Sequence, residues 1–395
     1  MPASDDQRPR RILPVIVLSQ FAGSSIWFAG NAVLPDLTLA WGLGTAALSS
    51  LTSAVQLGFI FGTLSFALLG IADRFPPQRV FLVCALGGSA ANALVVFLPG
   101  QLDLFLALRF ATGFLLAGIY PVGMKIAGSW YAGGLGRALG YLVGALVLGT
   151  ALPHLIRSLG TDLPWEGVMI TVSGVAALGG VAMAFLVPSG PHLPKRSAFR
   201  PKALAAVFTT PETRAAALGY FGHMWELYAF WAFVPLVLAA AFSRHNLGLD
   251  VSFWSFAVIA AGAIGCMGGG VVSRYWGSAR VAALQLALSG LCCLAAPWLD
   301  ALPLVLFLAV MLVWGVTVAG DSPQFSTLAA LTAPKAQVGS ILTLINSIGF
   351  SITVIAIQGL GFAAEYWGPQ AALAILAPGP LLGLLGLRPL IRRGL

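Results

Sequence analysis

Apolar runs of about 20 residues follow one another along the chain, separated by short polar stretches, and each is long enough for an α-helix to cross a bilayer. They predict helices at 12–36, 46–71, 79–99, 103–128, 138–156, 167–188, 215–241, 251–272, 280–297, 303–329, 338–363 and 369–388. The reading is therefore an all-α polytopic membrane protein with twelve transmembrane helices. The first run follows a cluster of arginines, as a secretory signal would, but it is too long and lacks a small-residue cleavage site before Asp36, so it should remain as an anchor. The longest connection, Pro188 to Arg214, is rich in proline and basic residues. It divides the chain into an N-terminal bundle (1–187), a cytoplasmic linker (188–214) with a short amphipathic helix on the membrane surface, and a C-terminal bundle (215–395).

Inside several runs the polar residues fall at steps of three and four, which places them on one helix face. The first helix carries Gln20, Ser24, Trp27 and Asn31; the fourth Arg109, Thr112 or Gly113, and Tyr120; the seventh His223 and Glu226; the tenth Trp314, Thr317, Asp321 and Gln324. The eleventh adds Ser340, Thr343, Ser347, Ser351 and Gln358. A basic side chain at mid-bilayer costs roughly 2.5 to 3.5 kcal/mol on insertion scales, so Arg109 must face protein or water. Lys125 lies about 160° around an ideal helix from Arg109. Either Pro121 kinks the helix and brings both to one cavity, or Lys125 snorkels to the cytoplasmic end, or it pairs with Asp321. Glu226 and Asp321 stand deep within apolar runs, where desolvation and neighbouring cations tune a carboxylate for carrying protons. His223, three residues before Glu226, is placed to share that proton, while His154 reads as a packed or solvated side chain. Trp27 and Trp314 lie on the polar faces and are the aromatic residues expected to stack on a solute.

Composition agrees with the pattern. Of 395 residues 58% are hydrophobic and 9% charged, and the mean hydropathy is +0.92, which excludes a soluble domain. The net charge of +8 reports topology more than a partner. Every lysine and arginine except Arg109, Lys125, Arg157 and Arg244 falls on one side if the N-terminus is cytoplasmic, as the positive-inside rule requires. Both termini are then cytoplasmic in a bacterial-type inner membrane, and a nucleic-acid partner is not indicated. Cys84, Cys266, Cys292 and Cys293 lie inside predicted helices without metal-ligand spacing and read as packing residues. Gly58 with Gly62, and Gly140 with Gly144, have the spacing of close helix contacts.

The two halves repeat at an offset near two hundred: Pro35 with Pro235, Arg74 with Arg274, Val80 with Val281, Gly149 with Gly349, and Gly118-Ile-Tyr-Pro121 with Gly320-Asp-Ser-Pro323. Internal duplication is the usual construction of secondary transporters. The stretch Gly70-Ile-Ala-Asp73-Arg74-Phe-Pro-Pro-Gln-Arg79 resembles the signature loop of the major facilitator superfamily, G-x-x-x-D-R-x-G-R-[RK]. Asp73, Arg74 and Arg79 match, Gly70 is displaced, and Pro76 and Pro77 replace the usual glycine and cation. A degenerate copy, Ser273 to Arg280, sits where that family places one. Arg109, Gly113 and Ala117 resemble the R-x-x-x-G-x-x-x-A motif linked there to proton-coupled antiport. Gly140 and Gly149 keep the first spacing of the antiporter motif G-x8-G-x3-G-P, but Pro153 and His154 break its end.

The resemblance implies two pseudo-symmetric six-helix bundles, with helices one, four, seven and ten lining a central cavity, and a gating role for Asp73, Arg74 and Arg79. The expected function is proton-coupled transport of a small polar or charged solute by alternating access, with an organic anion or zwitterion favoured. Trp27, Asn31, Arg109, Tyr120, Lys125, Trp314 and Gln324 are the expected solute contacts, and Glu226, Asp321 and His223 the proton carriers. Efflux by proton antiport and an uncoupled facilitator are the alternatives. No nucleophile with a base, metal motif or phosphate loop points to an enzyme, no cofactor or metal is expected, and the chain is read as a monomer in the lipid bilayer.

Overall fold

A backbone in hydrocarbon has to satisfy its own N–H and C=O groups, and the computed structural model does so with helices throughout. It describes residue 9 and residues 11–44, 46–130, 135–160, 163–192, 203–246, 248–334 and 337–394; 87% of residues are helical, and no strand occurs among those described. Among them, eleven helices are long and apolar enough to span a membrane, and the shorter Ile12–Ser24 begins a twelfth crossing.

The crossings are α1 (Ile12–Ser24, continued by Ala29–Ala32 and Leu34–Trp41), α2 (Ala46–Leu69), α3 (Pro77–Leu94), α4 (Leu102–Leu116 and Tyr120–Trp130), α5 (Leu135–Leu159) and α6 (Trp165–Leu186). After a short helix, Ala203–Thr209, come α7 (Pro211–Arg244), α8 (Val251–Trp276), α9 (Ser278–Ala295), α10 (Leu304–Gly320 and Ser322–Thr332), α11 (Val338–Trp367) and α12 (Pro369–Ala372, Leu373–Leu376 and Pro378–Arg392). The seventh crossing starts four residues earlier than expected, because Pro211 is suited to the first turn of a helix. The short helix packs on α7 and α11; residues 193–202 of the connection, with Lys195, Arg196, Arg200 and Lys202, lie outside the described residues.

Besides α12, which passes through the tighter turns of Leu373–Leu376, three crossings expected as continuous are broken. In α1 the helix lapses over Ser25–Phe28, in α4 over Ala117–Ile119, and in α10 at Asp321. Pro121 and Pro323 follow the last two breaks, where they lack the N–H that would join the segments. The flanking glycines are fixed by close packing. A methyl group on Gly118 would stand 2.2 Å from Cys84 Sγ of α3, and one on Gly320 1.8 Å from Gln285 Oε1 of α9. Gly113 and Gly315 repeat the pattern: a methyl group there would lie 2.0 Å from the Val55 carbonyl oxygen of α2 and 2.0 Å from that of Val258 in α8. The duplication is thus visible as equivalent contacts between equivalent helices.

The halves meet along α2 against α11 and α5 against α8. Gly140 and Gly144 lie in the second seam, facing Cys266 and Met267, whereas Gly58 and Gly62 press on α4 within the N-terminal half. We call the end of the bundle with both termini the near end and the opposite one the far end. At the far end the halves touch directly: Gln358 Nε2 donates to Ser53 Oγ at 2.8 Å, Ser49 Oγ to the Ile357 carbonyl at 3.4 Å, and Ser158 Oγ to Asp250 Oδ2.

Candidate functional site

Between the halves, where α4 and α10 break, lies a narrow pocket of about 20 Å³, enough for one or two water molecules. Tyr120 and Ser322, the first residues of the second segments of the two broken helices, occupy its wall 202 positions apart. The α7 helix supplies Tyr220, Met224, Leu227, Tyr228 and Trp231 at helical spacing; α5 supplies Val143, Leu146 and Val147; Ala319 and Phe350 complete it. No charged side chain is in this wall. None of the three tyrosine hydroxyls hydrogen-bonds another described residue.

On the far side the pocket is stopped by rings. Trp27 stacks on Tyr228 (centroids 5.5 Å) and Phe350 (5.8 Å), Phe59 meets Phe350 at 4.4 Å, and Phe28 meets Trp231 edge-on at 6.2 Å. Both halves contribute, so the plug can hold only while α1 and α2 stay against α7 and α11.

Behind the wall sits a buried group of ionisable side chains. His223 Nδ1 lies 2.8 Å from Asp321 Oδ1, joining α7 to the break in α10, and both side chains are fully buried. Their neighbours Tyr220, Met224, Ala319 and Ser322 face the pocket. One turn along α7, the buried Glu226 accepts a hydrogen bond from Ser289 Oγ at 2.7 Å and one from Cys293 Sγ at 3.4 Å. Trp314 Nε1 donates to the same Ser289 oxygen at 3.1 Å, and its ring stacks on Phe230. Glu226 Oε1, Asp321 Oδ2 and His223 Nε2 have no hydrogen-bond partner among the described residues. A buried polar atom left unpaired costs about 1 to 3 kcal/mol, so the group is held in readiness at some expense. His223 therefore pairs with Asp321, where the sequence had suggested sharing with Glu226.

The other expected contacts are turned away from the pocket. Arg109 is fully buried inside the N-terminal half, where its Nη2 donates to the Ile26 carbonyl at 3.0 Å and to that of Trp27, and its Nη1 to Asn92 Oδ1 at 2.8 Å. Asn92 is held in turn by Ser173 Oγ at 3.0 Å. The guanidinium thus collects carbonyls that the break in α1 releases, and helix periodicity could not distinguish this from facing a cavity. Lys125 pairs with Asp73 Oδ1 and donates to the Ala72 carbonyl at the near end, so it reaches neither the cavity nor Asp321. Arg74 and Arg79 of the same loop are exposed.

Asn31 Nδ2 donates to Thr52 Oγ1 at 2.7 Å, Gln20 Nε2 to Ser24 Oγ at 3.1 Å, and Gln324 is buried outside the pocket wall. The polar faces of α1, α7 and α10 are therefore packed against protein in this conformation, and Tyr120 alone of the expected solute contacts lines the pocket. The tyrosines of α7 were overlooked as solute contacts, and Trp231 was passed over in favour of Trp27 and Trp314. Their only signal was the spacing Tyr220, Met224, Tyr228, Trp231, which a packed core also produces.

A family model described as Major Facilitator Superfamily matches residues 16–357. The fold is similar to the solved human organic anion transporter MFSD10 (TETRAN), at 18% identity and TM-score 0.71, covering 96% of this chain and 100% of that one. It is similar as well to the proton:xylose symporter XylE bound to 6-bromo-6-deoxy-D-glucose, at 12% identity and TM-score 0.72, covering 96% and 95%. A search of curated proteins gave no significant match.

Proposed function

The chain belongs to the major facilitator superfamily, and from that premise we propose a secondary transporter that moves a small solute by alternating access, coupled to protons. The observation that carries the reading is the buried His223–Asp321 pair at 2.8 Å, set directly behind the pocket wall at a helix break. A proton gained or lost there changes the charge of a fully buried site beside the pocket. Because that change is felt in low dielectric, it alters the stability of α10 against α7 far more than a surface titration would.

The six-helix units 1–187 and 215–395 are the moving parts, joined by the connection 188–214. Rocking about the α2–α11 and α5–α8 seams opens the far end by parting the ring plug and closes the near end, where Asp73, held by Lys125, with Arg74 and Arg79 forms the gate. Glu226 is a second proton store, one turn from the pair. Arg109 serves by fixing the shape of α1. We place the protein in a bacterial-type inner membrane as a monomer with both termini cytoplasmic, on the distribution of lysine and arginine. The preference for an anion relied on Arg109 and Lys125 in the cavity; with both engaged elsewhere, that support is gone. The likeness to an organic anion transporter concerns fold alone.

The test is solute uptake into proteoliposomes under an imposed pH gradient, with exchange measured in parallel. In Asp321→Asn and in Glu226→Gln, accumulation should vanish while solute exchange continues. Accumulation undiminished in both would remove the two acids from the coupling, and wild-type uptake that only equilibrates whatever the pH gradient would leave the uncoupled facilitator as the reading.

A further inference from the structure

Building on the transport reading of this same pocket, which admits one or two waters in this conformation and widens as the halves part, we propose that its solute is an organic cation: a small molecule with an ammonium group on a flat apolar body. Five aromatic rings converge on the space, Tyr120 from one half and Tyr220, Tyr228, Trp231 and Phe350 from the other. The face of an aromatic ring carries the negative part of its quadrupole, and a cation among several rings shielded from water gains about 2 kcal/mol or more. A neutral solute packs against the same rings without that gain.

Three further observations select charge and sign. The pocket wall has no cationic side chain, and the two basic residues deep in the N-terminal half are committed, Arg109 to carbonyls and Asn92, Lys125 to Asp73. Behind the wall stand two carboxyl groups, Asp321 next to the lining Ser322 and Glu226 two residues beyond the lining Met224, with His223 paired to Asp321. An anion would lie among aromatic rings with no cationic side chain in the wall and with His223 already paired to Asp321, a burial without compensation. Finally, the hydroxyls of Tyr220 and Tyr228, on side chains more than nine-tenths buried, make no hydrogen bond within the described residues. Their oxygens are open to accept from an N–H of the solute.

Four probes of nearly one shape separate the possibilities: benzylammonium, benzyltrimethylammonium, the uncharged neopentylbenzene and phenylmethanesulfonate. Binding to the full-length protein in detergent is read by quenching of tryptophan fluorescence. Both cations should bind about tenfold or more tightly than the neutral and anionic probes. Tyr120→Phe should keep cation affinity within about threefold, and Tyr120→Leu should lose about tenfold, because the ring face and not the hydroxyl supplies most of the attraction. Equal affinity for all four probes, or preference for the sulfonate, overturns the proposal, and the wild-type series needs no variant to fold. A Tyr120→Phe loss as large as that of Tyr120→Leu overturns it as well. If the cations bind but a pH gradient does not drive them into liposomes, the cage stands and the transport reading falls. If an anion is tightest yet is accumulated in a proton-dependent way, the reverse holds.

Discussion

Arg109 illustrates how one side chain can carry local architecture. Its guanidinium fork serves two carbonyls of the broken α1 and the amide of Asn92 at once. Removing it leaves those acceptors buried without donors, so Arg109→Ala should lower stability by about 3 kcal/mol or more, seen as a fall in the unfolding midpoint in detergent. Arg109→Lys should recover only part, since an ammonium cannot reproduce the planar fork. If instead Arg109→Ala unfolded normally but lost solute binding, the residue would belong to the pocket. The sequence made Arg109 conspicuous and left its role open. A polar side chain deep in an apolar run faces either water or protein, both on the same side of the helix, and the choice rests on partners such as Asn92 and Ile26 that are distant in the chain. Glu226 was equally conspicuous, yet nothing in the spacing of Ser289 and Cys293 marks them as its donors.

Among the helices, two of the breaks had a mark in the sequence, although the spans were read as continuous. Gly118 with Pro121 and Gly320 with Pro323 stand at them, because proline removes a donor and glycine admits a neighbouring helix too close for a side chain. The break in α1 carries no proline and was missed; it is stabilised by Arg109 from another helix, a tertiary cause that local propensity does not record. Equivalent packing makes an element-level prediction. Gly113→Ala and Gly315→Ala each force a methyl group against a backbone carbonyl, of Val55 and Val258 respectively, and each should cost about 1 to 3 kcal/mol in thermal unfolding. The two losses should match closely. A loss at one site only would mean that the α2–α4 and α8–α10 contacts have diverged in energy despite their common geometry.

For the whole molecule, the far-end contacts between halves define a state that can be locked. A methyl group on Gly361 would lie 3.3 Å from Ser49 Cβ, close to the spacing of a disulfide. Ser49→Cys with Gly361→Cys should therefore cross-link on oxidation, stop net solute movement across the bilayer, and release it again on reduction. The four native cysteines are free, and three of them are buried, so the engineered pair reacts apart from them. Transport that persists in the oxidised protein would refute rocking about the α2–α11 seam. The run of apolar crossings was readable from hydrophobic length alone. The pocket was not, because its lining is aromatic and apolar and looks in sequence like any membrane core.

The mirrored breaks no longer carry the same chemistry. At corresponding positions one presents the phenol of Tyr120 and the other the serine that follows Asp321, itself answering to Ile119. On the reading proposed here, a protein assembled from two copies of the first half would have a grip on each side and no proton carrier, and one assembled from two copies of the second would have two carriers facing each other as like charges. On that reading neither symmetric arrangement would couple a solute to a proton. Divergence between duplicated segments, more than duplication itself, is what created the division of labour.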